Sequence, residues 1–181
     1  MLVIIKNIRK ILHEKNISQN ELARKINYKH GTFGKFMSGG KPFPVKVIES
    51  MASILEVSKE EIKGWILADK YSNEVFNSAI KAKKEKLHND SKLILTSKID
   101  EILQIKNLSR TQLSKLAKYD QSAVNKMITG KESLSKTVLT KLSNVLDISE
   151  DEIISWILAD KYSLKALETA IYESEKTNNT N

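Results

Sequence analysis

The sequence predicts an all-α protein built from two tandem copies of one small helical domain. Three observations lead there. Gly and Pro are scarce, six and two of 181 residues, about 4% where roughly 12% is typical, which disfavours folds rich in tight turns. Apolar residues recur at helical spacing, and strand-like alternation is missing except for a weak trace near Val45–Val47. Finally, the chain aligns with itself. A shift of 91 residues, without a gap, gives 25 identities in the 74 pairs from Asn7/Lys98 to Ile80/Ile171, against roughly five by chance at ordinary composition. Two copies make a duplicated domain; a solenoid usually takes three or more.

Each copy reads as a string of short helices. Ile8, Ile11 and Leu12, like Ile99, Ile102 and Leu103, share one helical face. Ser18 and Ser109 precede Glu21 and Gln112 by three residues, the spacing of a capping box at a helix start. Ser58 to Glu61 and Ser149 to Glu152 repeat that signature before a later helix. The last helix of each copy carries a narrow apolar stripe, Val75, Phe76, Ala79 and Ile80 or Ala166, Leu167, Ala170 and Ile171. The expected division is a first domain over 1–80, a charged helix end or linker over 81–92, a second domain over 93–172 and a flexible tail over 173–181.

Composition narrows the function. Cys is absent, which removes disulfides, thiolate metal sites and cysteine nucleophiles together. His13, His30 and His88 lie far apart without a partner at ligand spacing, and neither G-x-G-x-x-G nor G-x-x-x-x-G-K-[ST] occurs. No metal, cofactor or catalytic constellation is expected, and the chain is not read as an enzyme. Thirty Lys and Arg against 22 Asp and Glu give a net charge of +8, which suits a polyanionic partner or simply a basic protein. The apolar run Met1–Ile5 is too short for a signal peptide or a membrane span, so a cytoplasmic location is expected.

The segment Ile17–Gly39 has a specific shape. A capped helix turns Leu22, Ala23 and Ile26 inward, a brief turn follows, and a second helix turns Phe33 and Phe36 inward before a Gly ends it. Leu108–Gly130 repeats the arrangement. Two helices across a short turn let the second lie in a major groove. With its "ISQNELA" and "LSRTQLS" starts, "SG" or "TG" ends, and a following helix closing at "LEVS" or "LDIS", this pattern resembles the Cro/C1-type (lambda repressor-like, XRE) helix-turn-helix family. The resemblance covers about residues 6–65 and 97–156 and is carried by two copies in register. It departs from the family at the turn, where Asn27 and Lys118 stand in place of the common Gly.

The resemblance implies double-stranded DNA as partner. It places Lys29, His30, Gly31, Gly34 and Lys35 at the groove in the first copy, and Gln121, Ser122, Asn125 and Lys126 in the second. Side-chain chemistry agrees independently, since Gln and Asn suit adenine edges and Lys or Arg suit guanine or phosphate. Gln19, Lys41, Arg110 and Lys131 are phosphate candidates, although a single surface Lys is commonly only solvated. Gly31 and Gly34 each cost a helix about 1 kcal/mol; they either admit close approach of backbone to DNA or have drifted on an exposed face. Residues 1–91 carry net +7 and residues 92–181 net +1, so the first copy is expected to contribute more backbone affinity.

The longest identical stretch, Trp65–Ser72 and Trp156–Ser163, lies outside the helix-turn-helix. Ile62, Trp65 and Ile66, with Ile153, Trp156 and Ile157, either cap each domain's own core or also face each other across a pseudo-two-fold internal dimer. Asp69/Lys70 and Asp160/Lys161 are expected to be solvated or locally paired. The functional expectation is a transcriptional or plasmid/phage-type regulator reading two dissimilar half-sites, as a monomer with an internal pseudo-dimer or a weak homodimer. Its rival is a protein-binding adaptor (antirepressor, antitoxin or inhibitor) on the same fold, favoured by the near-neutral second half and by Asp120 at the start of its reading helix.

Overall fold

The computed structural model describes residues 2–86 and 92–178, and these form helices without a strand. In chain order they are α1 (Val3–Glu14), α2 (Gln19–Lys25), α3 (His30–Met37), α4 (Val45–Leu55), α5 (Lys59–Ala68), α6 (Asn73–Lys86), α7 (Ile94–Ile105), α8 (Arg110–Leu116), α9 (Gln121–Ile128), α10 (Lys136–Leu146), α11 (Glu150–Lys161) and α12 (Leu164–Asn178). The trace of alternation at Val45–Val47 is the first turn of α4, entered from Pro44, whose fixed φ leads into a helix. The charged stretch expected to be a helix end or linker is helical as far as Lys86; residues 87–91 lie outside the described residues. The expected tail is helical to Asn178, with Glu173 turned inward and buried; residues 179–181 lie outside the described residues.

Packing divides the chain differently from its sequence repeat. One compact unit comprises Met1–Asn73 with Lys165–Asn181, and the other Glu74–Leu164. Unit 1 is therefore α1 to α5 with α12, and unit 2 is α7 to α11 with α6. Each five-helix bundle takes its sixth helix from the other repeat. The division expected at 1–80 and 93–172 followed the repeat register, which carries no information about where a terminal helix packs.

The cores repeat faithfully. Ile8, Leu22, Phe33, Met51 and Ile62 are fully buried in unit 1, and their repeat partners Ile99, Leu113, Val124, Leu142 and Ile153 are fully buried in unit 2. The sixth helices contribute Ala166 and Leu167 to unit 1 and Val75 and Phe76 to unit 2, all buried. Volume differs between equivalent positions while apolar character does not, as expected where burial is the constraint and a neighbour can compensate.

The repeated Asp has a structural task. Leu2 and Leu93 precede α1 and α7 and offer no side-chain cap. Asp69 Oδ2 instead accepts the Val3 N–H at 2.8 Å, and the two Asp160 oxygens accept the N–H groups of Ile94 and Leu95 at 2.8 and 3.0 Å. A carboxylate 65 or 66 residues away thus satisfies orphan donors at a helix start and complements its dipole. Burial pushes the Asp69 carboxyl up from its ordinary range, an effect opposed by the Val3 N–H. These aspartates are long-range caps, where solvated or locally paired side chains were expected. We expect Asp160→Ala to cost about 1–2 kcal/mol in urea unfolding, with Asp160→Asn, which keeps an acceptor, losing less.

The four capping-box signatures are realised unevenly. Ser58/Glu61 and Ser109/Gln112 close both bonds. Ser18 and Ser149 accept the N3 amide without the return bond, Glu21 being drawn to Lys25 at 3.3 Å. At Ser58, hydroxyl and N–H both donate to Glu61 Oε2, at 2.6 and 2.8 Å. They hold the Glu61 carboxyl below its ordinary value of 4.5. A lowered folded pKa stabilises above the ordinary value, and this is lost as pH falls through the lowered one. Ser58→Ala should therefore cost about 1 kcal/mol near neutral pH, and the deficit should shrink in acid, in urea melts recorded across that range.

Candidate nucleic-acid interface

In each unit a helix-turn-helix presents one short helix on a buried base. In unit 1, Leu22 and Ala23 of α2 and Phe33, Phe36 and Met37 of α3 are buried. Phe36 lies 5.6 Å from the Tyr28 ring, 6.4 Å from Phe33 and 5.5 Å from Phe43, so an aromatic cluster fixes α3 against both the turn and the loop that follows it. Unit 2 keeps only the tyrosine of this cluster, as Tyr119. There Val124, Met127 and Ile128 seat α9, while Lys141 Nζ lies 5.4 Å over the Tyr119 ring and donates to the Lys118 carbonyl at 3.2 Å.

The turn positions that depart from the family pattern are left-handed, Asn27 at φ 54° and Lys118 at φ 50°. Asn tolerates that region through its short polar side chain, whereas Lys must hold its Cβ close to a carbonyl. Both reading helices then stop at a left-handed Gly, Gly39 at φ 77° and Gly130 at φ 71°. A Cβ on Gly130 would lie 2.7 Å from Leu93 Cδ1, the movable end of a side chain, so it is the positive φ that favours Gly at this stop.

The outward faces differ. In unit 1, Lys29, His30, Gly31, Lys35 and Lys41 are exposed, and Gly34 and Gln19 half-buried. A Cβ on Gly31 or Gly34 would meet nothing within 4 Å, so packing does not require either glycine. Among the described residues, no carboxylate stands at ion-pair distance from Lys29, Lys35 or Lys41. Five of the six positions expected at the unit 2 face, Gln121, Ser122, Asn125, Lys126 and Lys131, line one shallow concavity of about 680 Å³ together with Asp120 and Thr129. Arg110 is not among them.

Unit 2's face is tied to itself. Asp120 Oδ1 accepts the Ala123 N–H at 2.8 Å as the N-cap of α9. Gln121 Nε2 donates to Thr111 Oγ1 at 2.8 Å. Lys126 pairs with Glu132 at 3.2 Å. Arg110 donates through Nε and Nη2 to the two Asp100 oxygens at 2.9 and 2.7 Å, a fork that fixes its plane. The Oδ1 of Asn125 is shielded from solvent without a hydrogen-bond partner. Thr129, which the sequence reading missed, donates from Oγ1 to the Asn125 carbonyl at 2.8 Å; its signal was the i+4 spacing from Asn125. The Arg110–Asp100 pair joins residues ten apart on two helices, and it ties up a side chain expected to be free for phosphate.

A family description of the Cro/C1-type HTH DNA-binding domain matches residues 7–67 and again 98–159. The chain belongs to the Cro/C1-type helix-turn-helix family. It is a tandem, all-α, DNA-binding member, with α2 and α3 as one helix-turn-helix and α8 and α9 as the other. No curated protein and no solved structure shows significant similarity to the chain. No helix among the described residues is long and apolar enough to cross a membrane. Nor do those residues group three or more His, Asp or Glu as a metal site.

The repeated tryptophan patch falls within each unit's own packing. Ile62 and Trp65 belong to the unit 1 core with Ile66 packed partly against it. Ile153 and Trp156 are buried in unit 2, Ile157 half-buried. Trp156 also lines a cavity with Val75, Ser78 and Ala82 of α6, so the helix it meets comes from the other repeat.

Lys118→Gly removes the cost of a left-handed Lys. It should raise stability by about 1 kcal/mol in urea unfolding, while Asn27→Gly should gain less.

Proposed function

We propose that this chain is a sequence-specific regulator that reads two dissimilar half-sites on double-stranded DNA, one with each unit. The observation that carries this reading is that two equivalent scaffolds present faces of different chemistry. α3 offers Lys29, His30 and Lys35 around the bare backbone at Gly31 and Gly34, whereas α9 offers Gln121, Ser122 and Asn125. These sets cannot prefer the same bases. Gln121 and Asn125 suit adenine edges.

Backbone affinity divides unequally for a local reason. Counted over the packed units, unit 1 holds 15 basic and 10 acidic side chains and unit 2 holds 15 and 12. Exchange of the sixth helices thus narrows the +7 and +1 of the repeats to +5 and +3. The contrast lies instead at the reading faces, where Lys29, Lys35 and Lys41 have no carboxylate at ion-pair distance among the described residues while Arg110 and Lys126 are each held by one. Free cations release more counterions on meeting phosphates. In this reading Gln19 and Lys41 of unit 1, and Arg110 and Lys131 of unit 2, set register on the backbone. Gly31 and Gly34 let α3 sit close to the groove.

The same pairing in unit 2 favours the second reading, an adaptor that holds a protein partner on the α9 face, because Arg110–Asp100 and Lys126–Glu132 already neutralise that face. Selection from random duplexes at two salt concentrations separates the two. DNA recognition predicts an enriched site with unlike halves. Lys29→Ala with Lys35→Ala should then weaken all sequences alike and lower the salt slope by about 1–2, and Asn125→Ala should relax one half-site only. Gly31→Ala and Gly34→Ala should each stabilise the fold by up to about 1 kcal/mol while weakening binding. No enrichment and no salt dependence would transfer the function to a protein partner.

A further inference from the structure

The two units seat their sixth helices against different residues. In unit 1, α12 lies directly on α5 at Gly64. A Cβ built there would stand 2.6 Å from Thr169 Cβ, 2.8 Å from Thr169 Cγ2 and 2.8 Å from the Ala166 carbonyl oxygen. One of these atoms is backbone, so α12 itself would have to shift to admit any side chain at position 64. Thr169 is held in place, because its hydroxyl donates to the Lys165 carbonyl at 2.8 Å. In unit 2 the equivalent of Gly64 is Ser155, 1% exposed, with its Oγ donating to the Glu152 carbonyl at 2.7 Å. Around it Val75 and Ser78 of α6, with Trp156, border an open cleft of about 550 Å³. The helix that meets Gly64 is narrow (Ala166, Ala170); the helix that meets Ser155 has Val75 where α12 has Ala166.

We propose that the close approach at Gly64 and the wider one at Ser155 decide which sixth helix each bundle accepts, so that the two repeats exchange these helices. The inverse pairing fits poorly at both seats. α12 over Ser155 would meet a Cβ and Oγ where its own seat has neither, and overpacked contacts are unfavourable. α6 over Gly64 would bring the wider Val75 to the narrow approach and leave Ser78 short of the space that Thr169 fills, a void that forfeits contact. The Lys165 pair does not discriminate between the seats. Lys165 lies 3.6 Å from Glu61 in unit 1, and the equivalent of Glu61 in unit 2 is Glu152, which would pair with Lys165 equally well. α6 is further matched to unit 2 by Lys83 and Lys86, which reach the Ala159 carbonyl at 2.6 Å and Asp160 at 3.5 Å, at the C-terminal end of α11 where cations are favoured. Exchange is thus specified chiefly at one pair of equivalent positions, immediately before the stretch where the repeats are identical.

Because the chain has no cysteine, introduced ones report the pairing directly. In the full-length variant E61C/E152C/K165C, a flexible thiol-specific crosslinker about as long as the Lys165–Glu61 pair it replaces can join position 165 to position 61, its neighbour across the exchanged seat, or to position 152, its neighbour if α12 folds back on its own repeat. After crosslinking and peptide mapping, the 61–165 product within a single chain should exceed 152–165 by about tenfold or more. Adding Ser155→Gly removes atoms and introduces no clash, so the protein stays folded, and it should raise the 152–165 share several-fold. Adding Gly64→Ser should reduce 61–165 closure by about tenfold or more. The proposal is overturned if 152–165 dominates without these additions, if 61–165 bonds join two chains, or if Ser155→Gly leaves the ratio unchanged.

Discussion

Much of this molecule follows from the difficulty of closing a core with about sixty residues of short helix. A domain that small buries only roughly 60% of the surface its unfolded chain exposes, which leaves it marginal. Each bundle therefore needs a sixth helix, and the residues that supply it, Phe76 in unit 2 and Leu167 in unit 1, are as deeply buried as any in the bundles themselves. Both helices come from the opposite repeat. The chain is consequently two folding units that cannot be cut apart at the middle of the sequence without each losing part of its core. The identical Trp65–Ser72 and Trp156–Ser163 stretches lead into these helices. Their tryptophans fill the core, their aspartates cap the first helix of the unit, and the backbone leads into the helix that is exchanged.

On this shared scaffold the reading faces have been free to diverge. Burial constrains Leu22, Phe33 and Met37 and their partners Leu113, Val124 and Ile128 to remain apolar, so α3 and α9 are held alike. Nothing inside the fold constrains the outward positions, and there glycine, lysine and histidine in one copy face glutamine, serine and asparagine in the other. The electrostatic contrast has the same origin. The Arg110–Asp100 pair stands where the first copy has Gln19 and Arg9, and Glu132, the partner of Lys126, stands where it has Lys41, so three differences between the copies create the two closed pairs of unit 2. An exposed pair contributes at most about 1 kcal/mol to stability, so its larger effect is on what remains available to a polyanion.

The fold was legible in the sequence wherever the signal was local. Helix periodicity, Ser caps, the glycine stops at Gly39 and Gly130 and the repeat register each rest on interactions within a few residues. The reading helices were likewise placed by the spacing of their buried anchors. Less was legible where partners are distant. Asp69 and Asp160 looked like surface residues because the helix starts they cap lie 65 or 66 residues earlier. Glu21 and Glu152 carry the capping-box spacing but do not complete the box, Glu21 having Lys25 as a competing partner. The tie between Gln121 and Thr111 depends on how two helices meet across a turn, which no spacing encodes.

By itself, then, the sequence determined the helical class, the duplication, the two helix-turn-helix segments and the dissimilarity of their faces. All of these are set by periodicity, capping and side-chain chemistry along the chain. Only the tertiary structure decided which bundle receives α6 and which α12, and through that the charge each unit carries and the closeness of its helices. The physical reason is that an amphipathic helix with a narrow apolar stripe fits any comparable groove. What selects its place is whether a Cβ at one facing position, absent at Gly64 and present at Ser155, leaves room for it.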